Sequence, residues 1–371
     1  MKFSCEKAVL QEAALTASRA VSSKTTIGVL EGLLVSAGFS VSLCGYDLKT
    51  GIKCTVPAEV EQEGLVVLNA RLLCDILRKL PDEIIYFSVD DNFVATLRCG
   101  LSEFTLLGLS PEEFPELPDV DRSRALSLPR KTLKSMIAQT IFAVSDNETK
   151  PIHTGSMFEI EDGQLQIISV DGFRLAVRTE KIEDLKGATK SSFVVPGSAL
   201  REIERILDDT EEPVLLYPDR KFILFDIGGV ILITRLLEGE FLNYRKALPE
   251  DLAVTYVAEI GNLLDSVERV SLIISERLKN PIRCLFEDEL VRLSCVTSLG
   301  KAYDECRLQG RSLSAIEIGF NSRYLLDALR ACPDEQAVIG LKSGLSPCVI
   351  RPVEGDAFLY LVLPVRLKAG E

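Results

Sequence analysis

The feature that most constrains the fold is a weak internal repeat of domain size. Three segments share one pattern: LNARLLCDILRKLPDE (residues 68–83), VPGSALREIERILDDTEE (195–212) and FNSRYLLDALRACPDE (320–335). Each opens on an apolar residue followed by Asn or Pro, continues as an amphipathic helix and ends in an acidic or Pro-Asp turn. Leu73, Ile76, Leu77 and Leu80 fall at the i, i+3, i+4, i+7 spacing of a buried helical stripe. Leu200, Ile203 and Leu207 repeat it, as do Leu325, Leu329 and Cys332. Asn69 and Pro196 stand 127 positions apart, and Pro196 and Asn321 stand 125 apart. Such spacing means duplicated domains, because solenoid units recur every ~20–50 residues.

A second helix recurs earlier in each unit: AVLQEAALTASRAVS (8–22), TLKSMIAQTIFAVS (132–145) and GNLLDSVERVSLIIS (261–275), each with an apolar pair before its final Ser. Between the two helices lie strand-like runs, SVSLCGYDLKTGIKC (40–54), LQIISVDGFRLAVR (165–178) and LVRLSCVTSLGKAY (290–303). The first two place Asp47 and Asp171 at matching turns, where the third has Thr297. Further alternating runs follow the second helix. Each repeat therefore reads as strand, helix, strands, helix, strands. The expected class is α+β, three tandem domains with helices on one face of antiparallel sheets. Boundaries are expected near 124 and 249, at the Pro-rich SPEEFPELPDVDRS and at NYRKALPEDL, giving domains 1–124, 125–249 and 250–371.

Composition narrows the function. None of the ten cysteines lies in a CxxC pair, and most sit in apolar runs, so they read as buried free thiols. The N-terminus has no long apolar core, and no run of about 18 apolar residues could span a bilayer. Together these point to a reducing cytoplasm. One histidine cannot build a metal cluster, and HExxH, the P-loop and GxGxxG are all missing. No cofactor, metal or catalytic residue is expected. Asp47 and Asp171 mark a shared turn better than a pair of acid–base carboxylates.

With a formal net charge of −13, any DNA-facing surface must concentrate its cations. Residues 128–142 carry Arg130, Lys131 and Lys134 and no acid. Residues 68–80 carry Arg71, Arg78 and Lys79 against Asp75, and residues 320–332 carry Arg323 and Arg330 against Asp327. The third copy of the first helix departs, with Glu259, Asp265 and Glu268 against Arg269. A solvated polar face explains any single patch equally well.

SVDGFRLAV (169–177), FLNYRKALP (241–249) and LPVRL (363–367), with the opening MKFSCEK and the SEFTLLGLSPEEFPEL run (102–117), resemble the bacterial sliding clamp family, the β subunit of DNA polymerase III. The resemblance covers the whole chain. It implies a processivity factor of the replicative polymerase: two chains head to tail, six domains in a ring, twelve helices lining a hole that encloses duplex DNA without sequence preference. It implies no chemistry and no bound nucleotide, with an ATP-using loader opening the ring. It implies that the polymerase III α subunit, the loader and other clamp-binding proteins insert short peptide motifs between the second and third domains. The implied pocket comprises His153, Thr154, Gly155, Val170, Gly172, Phe173, Arg174, Leu175, Leu242, Lys246, Ala247 and Pro347, with Leu361, Leu363, Pro364, Val365 and Arg366 from the C-terminal tail. His153 puts a polar ring where the family pattern tends to be apolar. Implied DNA contacts are Lys24, Asn147, Thr149 and Lys150, beside Arg71, Arg78 and Lys134 from the helices. The implied seam sets Phe104 and Leu106 of one copy against Leu272 and Ile273 of the other. A repeat-built interaction scaffold that never encircles DNA is the alternative, and a hydrolase on an α+β scaffold is a distant third.

Overall fold

A computed structural model describes residues 1–22, 25–182, 190–249, 251–275, 280–310 and 314–367. Six α-helices lie among them: α1 (Lys7–Ala17), α2 (Ala70–Lys79), α3 (Arg130–Ala138), α4 (Gly197–Ile206), α5 (Ile260–Ser271) and α6 (Ser322–Arg330). Two occur per repeat, and every strand pairing among the described residues is antiparallel.

The chain forms two compact units, Met1–Lys134 with Glu202–Leu236, and Ser135–Arg201 with Leu237–Glu371. The central repeat is thus divided between them. In the first unit, an eight-stranded sheet joins Gly32–Ala37, Val41–Tyr46, Thr50–Val56 and Gly64–Asn69 of the first repeat to Leu126–Pro129, Pro213–Pro218, Phe222–Asp226 and Val230–Arg235 of the second. The joint is the pairing of Val230–Arg235 with Thr50–Val56. A five-stranded sheet completes the unit, with Ser102–Leu107 on its edge. The second unit repeats the plan. Its eight-stranded sheet is joined where Arg174–Lys181 pairs with Phe358–Val362, and its four-stranded sheet has Gly300–Arg307 on one edge.

Local chemistry explains the elements. Asn69 Oδ1 accepts from Leu72 N–H at 2.9 Å to cap α2, and Asn321 Oδ1 accepts from Arg323 N–H at 3.0 Å to cap α6. The buried stripe of α2 is Leu73, Cys74, Ile76 and Leu77, while Leu72 faces out. The first helix of each repeat stops short of the expected Ser22, Ser145 and Ser275. Hydroxyls take carbonyls of the final turn: Ser18 Oγ donates to Leu15 O, Thr140 Oγ1 to Met136 O and Ser271 Oγ to Val267 O. Each offers the backbone a local alternative to another helical turn. The first two helices then tighten into 3₁₀ turns at Ser18–Ala20 and Ile141–Ala143.

The three matching turns share one device. Asp47 Oδ1 accepts from the Lys49 and Thr50 N–H groups, and Asp171 Oδ1 from those of Phe173 and Arg174. Thr297 Oγ1 keeps one such bond, from Leu299 N–H at 3.1 Å.

The described cysteines are all free, and only Cys332 is less than fully buried. Burial pushes the thiols of Cys5, Cys44, Cys54, Cys332 and Cys348 up to about 12. Raised values stabilise the fold below the ordinary thiol value of 9, and this contribution is lost as pH rises from there through about 12. Iodoacetamide at pH 8 should therefore label the native chain slowly, and labelling should become fast only on unfolding in guanidinium, as followed by mass spectrometry. Rapid labelling of the folded chain would contradict the burial.

Candidate functional site

In the second unit, Arg174–Lys181 and Phe358–Val362 pair in the register Arg174↔Val362, Leu175↔Leu361 and Ala176↔Tyr360. The chain then leaves the strand but stays anchored. Leu363 N–H donates to Phe173 O at 2.9 Å, and Val365 N–H to Gly319 O at 2.8 Å. The tail therefore runs from the eight-stranded sheet to the Ile316–Phe320 strand of the four-stranded one. It can do so because Gly319 has no Cβ. One built there would lie 2.7 Å from Val365 O and 2.6 Å from Leu367 Cδ2.

This route leaves apolar side chains on the surface. Phe173 is 58% exposed, Leu242 45%, Leu363 38% and Val365 39%. Pro364 and Pro347 are half-buried beside exposed Arg366, Lys246 and Ala247. Gly172, at φ 90°, makes the turn that presents Phe173.

Other residues expected to line the pocket lie beneath it. Val170, Leu175 and Leu361 are buried in a cluster with Tyr244 and Val349, against which Phe241, Leu248 and Leu252 pack. They hold the surface up and offer a ligand little area. The physical reason is the packing of Phe241, Tyr244, Leu248 and Leu252, which cover that face of the sheet. Gly155 is buried too, its Cα facing Val195 O too closely for a Cβ.

Arg174 is also interior, with its side chain 8% exposed. Its Nε donates to Asp171 Oδ2 at 2.9 Å and its Nη1 to Asp327 Oδ2 at 2.5 Å. Its guanidinium carbon lies 4.5 Å from the Tyr324 ring centre and 5.5 Å from that of Phe142. Phe173 stacks on Tyr324 with centroids 5.9 Å apart. Tyr324 and Gly319 escaped the sequence reading, and Asp327 entered it only as a charge set against Arg323 and Arg330. A signal existed for Tyr324, since the other repeats carry Leu72 and Ala199 at the matching helical step.

His153 meets Phe241 edge-on, with centroids 5.6 Å apart. Its N–H donates to Lys150 O, and its own carbonyl accepts from Ser145 N–H. It therefore closes the short loop that carries exposed Asn147, Thr149 and Lys150, with Asn147 Oδ1 accepting from Thr149 N–H.

The helix cations are less free than their helices suggest. In the first unit Arg130 reaches Asp208 and Glu212, Lys131 pairs with Glu211, and Lys134 with Asp209 at 3.0 Å. The acids come from the turn after α4, which a count within residues 128–142 leaves out. Arg71 and Arg78 both approach Asp75, and Arg330 pairs with Glu268 rather than Asp327. Lys24 lies outside the described residues. At the expected seam Phe104 is 37% and Leu272 83% exposed, Leu106 is buried at 8%, and Ile273 packs partly on the core of the second unit.

Three repeats of two helices on antiparallel sheets, with an apolar surface around an anchored C-terminal tail, define a clamp-type binding protein. Family models of the DNA polymerase III beta subunit match in tandem, the N-terminal domain at residues 1–118, the central at 127–243 and the C-terminal at 245–366. A beta sliding clamp of Halalkalibacterium halodurans is 35% identical over 99% of this chain and 100% of its own. The DNA polymerase sliding clamp of Bacillus subtilis superposes with a TM-score of 0.94 at 30% identity, covering 99% of this chain and 100% of that one. A sliding clamp of Pseudomonas aeruginosa, solved bound to griselimycin, does so with 0.93 at 25%, with the same coverage. The chain belongs to the DNA polymerase III beta subunit family, the beta sliding clamps, and serves as a processivity clamp for DNA polymerase.

The site carries one clean titration probe. Burial first, then the Lys150 charge, holds His153 below the usual imidazole value of 6.5. A proton NMR titration should place this one histidine below 6.5, and Lys150→Ala should move it upward. A lowered value means stability present above pH 6.5 and lost as pH falls through the folded value. A titration at or above 6.5 would contradict the packing around the ring.

Proposed function

We propose that two copies join head to tail into a ring around duplex DNA, and that partners dock by short peptides on the Phe173–Leu363–Val365 surface. Its domains are 1–124, 125–249 and 250–371, a division supported by three tandem family models that begin at residues 1, 127 and 245. Each unit ends in a small sheet with an open edge, Ser102–Leu107 in one and Gly300–Arg307 in the other. Open edges invite pairing with another chain. Phe104 and Leu106 near the first edge and Leu272 and Ile273 at the end of α5 supply apolar area for the joint. Two heterologous joints close a ring.

Duplex DNA in the hole is held loosely, by Lys24, Arg71, Arg78, Lys134, Asn147, Thr149 and Lys150. The ion pairs around Lys134, Arg71 and Arg78 fit this role, because tight neutralisation of many phosphates would oppose sliding. No residue acts catalytically, and the chain works in the cytoplasm as an accessory to the polymerase III α subunit and its loader. No helix among the described residues is long and apolar enough to cross a membrane.

The exposed apolar surface around the anchored tail carries the peptide reading. Leu and Phe side chains buried there gain about 1.5–3 kcal/mol each. Ordering the peptide offsets much of that, so single contacts are weak to moderate.

Deleting residues 363–371 should abolish binding of a fluorescein-labelled Gln-Leu-Ala-Leu-Phe peptide, read by anisotropy, while sedimentation still gives the dimer. Leu272→Asp should do the reverse, because a charge buried in the joint has no partner. A truncated dimer that binds the peptide as the parent does would move the pocket elsewhere, and a dimeric Leu272→Asp chain would move the seam.

A further inference from the structure

We propose that Asp327 is a positioning residue for the peptide pocket and that Arg174 serves there as an internal post. This rests on the peptide reading above and adds to it the group that holds the pocket wall in place.

The exposed wall is Phe173, and the ring behind it is Tyr324 of α6. Phe173 belongs to the central repeat and Tyr324 to the third, so something must fix one against the other. Arg174, the next residue after Phe173, provides the link. Its backbone N–H and its Nε are both held by Asp171, within the same turn. Its Nη1 crosses to Asp327 on α6. Asp327 lies three residues beyond Tyr324, on the same helical face. The guanidinium thus bonds Asp327 while stacking on Tyr324 at 4.5 Å, and the helix and the turn are locked at two adjacent points.

With its side chain 8% exposed, Arg174 presents little surface to a ligand. Its donors at Nε and Nη1 are taken, and aromatic rings lie against its plane. Its contribution to binding therefore passes through Phe173 and Tyr324. Asp171 alone would hold the charge within the turn, but it cannot tie the turn to α6. Asp327 has that task, and its removal leaves the buried guanidinium paired with Asp171 and the turn's own hydrogen bonds untouched. Asp327→Asn should accordingly fold, where loss of Asp171 would undo the turn as well.

The test uses the full-length chain and the labelled Gln-Leu-Ala-Leu-Phe peptide. Asp327→Asn should weaken binding about tenfold, the scale of coupling between contacting side chains. Sedimentation and the melting profile should stay near the parent's. Hydrogen exchange at the Phe173 and Leu363 amides should quicken. In an Arg174→Met background the same Asp327→Asn change should cause little further loss, since the link is already cut. Parental affinity in Asp327→Asn, or equal losses with and without Arg174, would overturn the role of Asp327 while leaving the pocket standing. A parent chain that fails to bind the peptide would overturn the pocket itself and the role with it.

Discussion

The last strand among the described residues, Phe358–Val362, pairs with Arg174–Arg178, some 180 residues earlier in sequence, and the proposed pocket depends on that register. Pairing Arg174 with Val362 sets where the tail leaves the sheet, and so which residues meet Phe173 O and Gly319 O. The side-chain period in a strand is two, so a slip of one residue would exchange the faces, moving Tyr360 and Val362 out of the cluster packed under α5 and α6 and Leu361 out of the cluster on the opposite face. That alternative is strongly opposed. Tyr360 and Phe358 are buried and stacked on each other, and Tyr360 donates its hydroxyl proton to Ala331 O. The strand that completes the core is thus also the one that aims the binding surface.

Much of this was legible in the sequence, because periodicity and turn chemistry are local. The stripe Leu73, Ile76, Leu77 located α2, and the Asp47 and Asp171 turns marked matching hairpins. Thr297 retains the same turn with a single bond, so drift in residue type did not mean drift in conformation. Helix ends were less legible, since whether a hydroxyl bonds back to a carbonyl depends on its rotamer. Least legible was what covers what. Leu175 and Leu361 look like pocket wall in sequence, yet Phe241, Tyr244, Leu248 and Leu252 pack over them and turn them into core. Arg130 and Lys134 look like free cations until Asp208 and Asp209, over seventy residues on, fold against them.

These ion pairs reconcile an acidic protein with a polyanionic partner. Exposed pairs of this kind are worth about 0–1 kcal/mol, so they can open toward phosphates without unfolding anything. They also lower the charge that any helix offers to DNA. Attachment then comes from enclosing the duplex, and the apolar tail surface remains free for partners. On the proposed reading, enclosure and docking thereby use different parts of the chain, one the paired helix cations and the other an apolar patch fixed by strand register.

Topological attachment is the central claim, and one measurement addresses it directly. The chain is loaded by its loader complex onto a nicked circular plasmid, freed of unbound protein by gel filtration, and followed before and after a restriction enzyme linearises the DNA. Enclosure predicts that the protein co-elutes with the circle, survives a salt wash, and is released once ends are present. Equal retention on circular and linear DNA, or loss from the circle with salt alone, would contradict it.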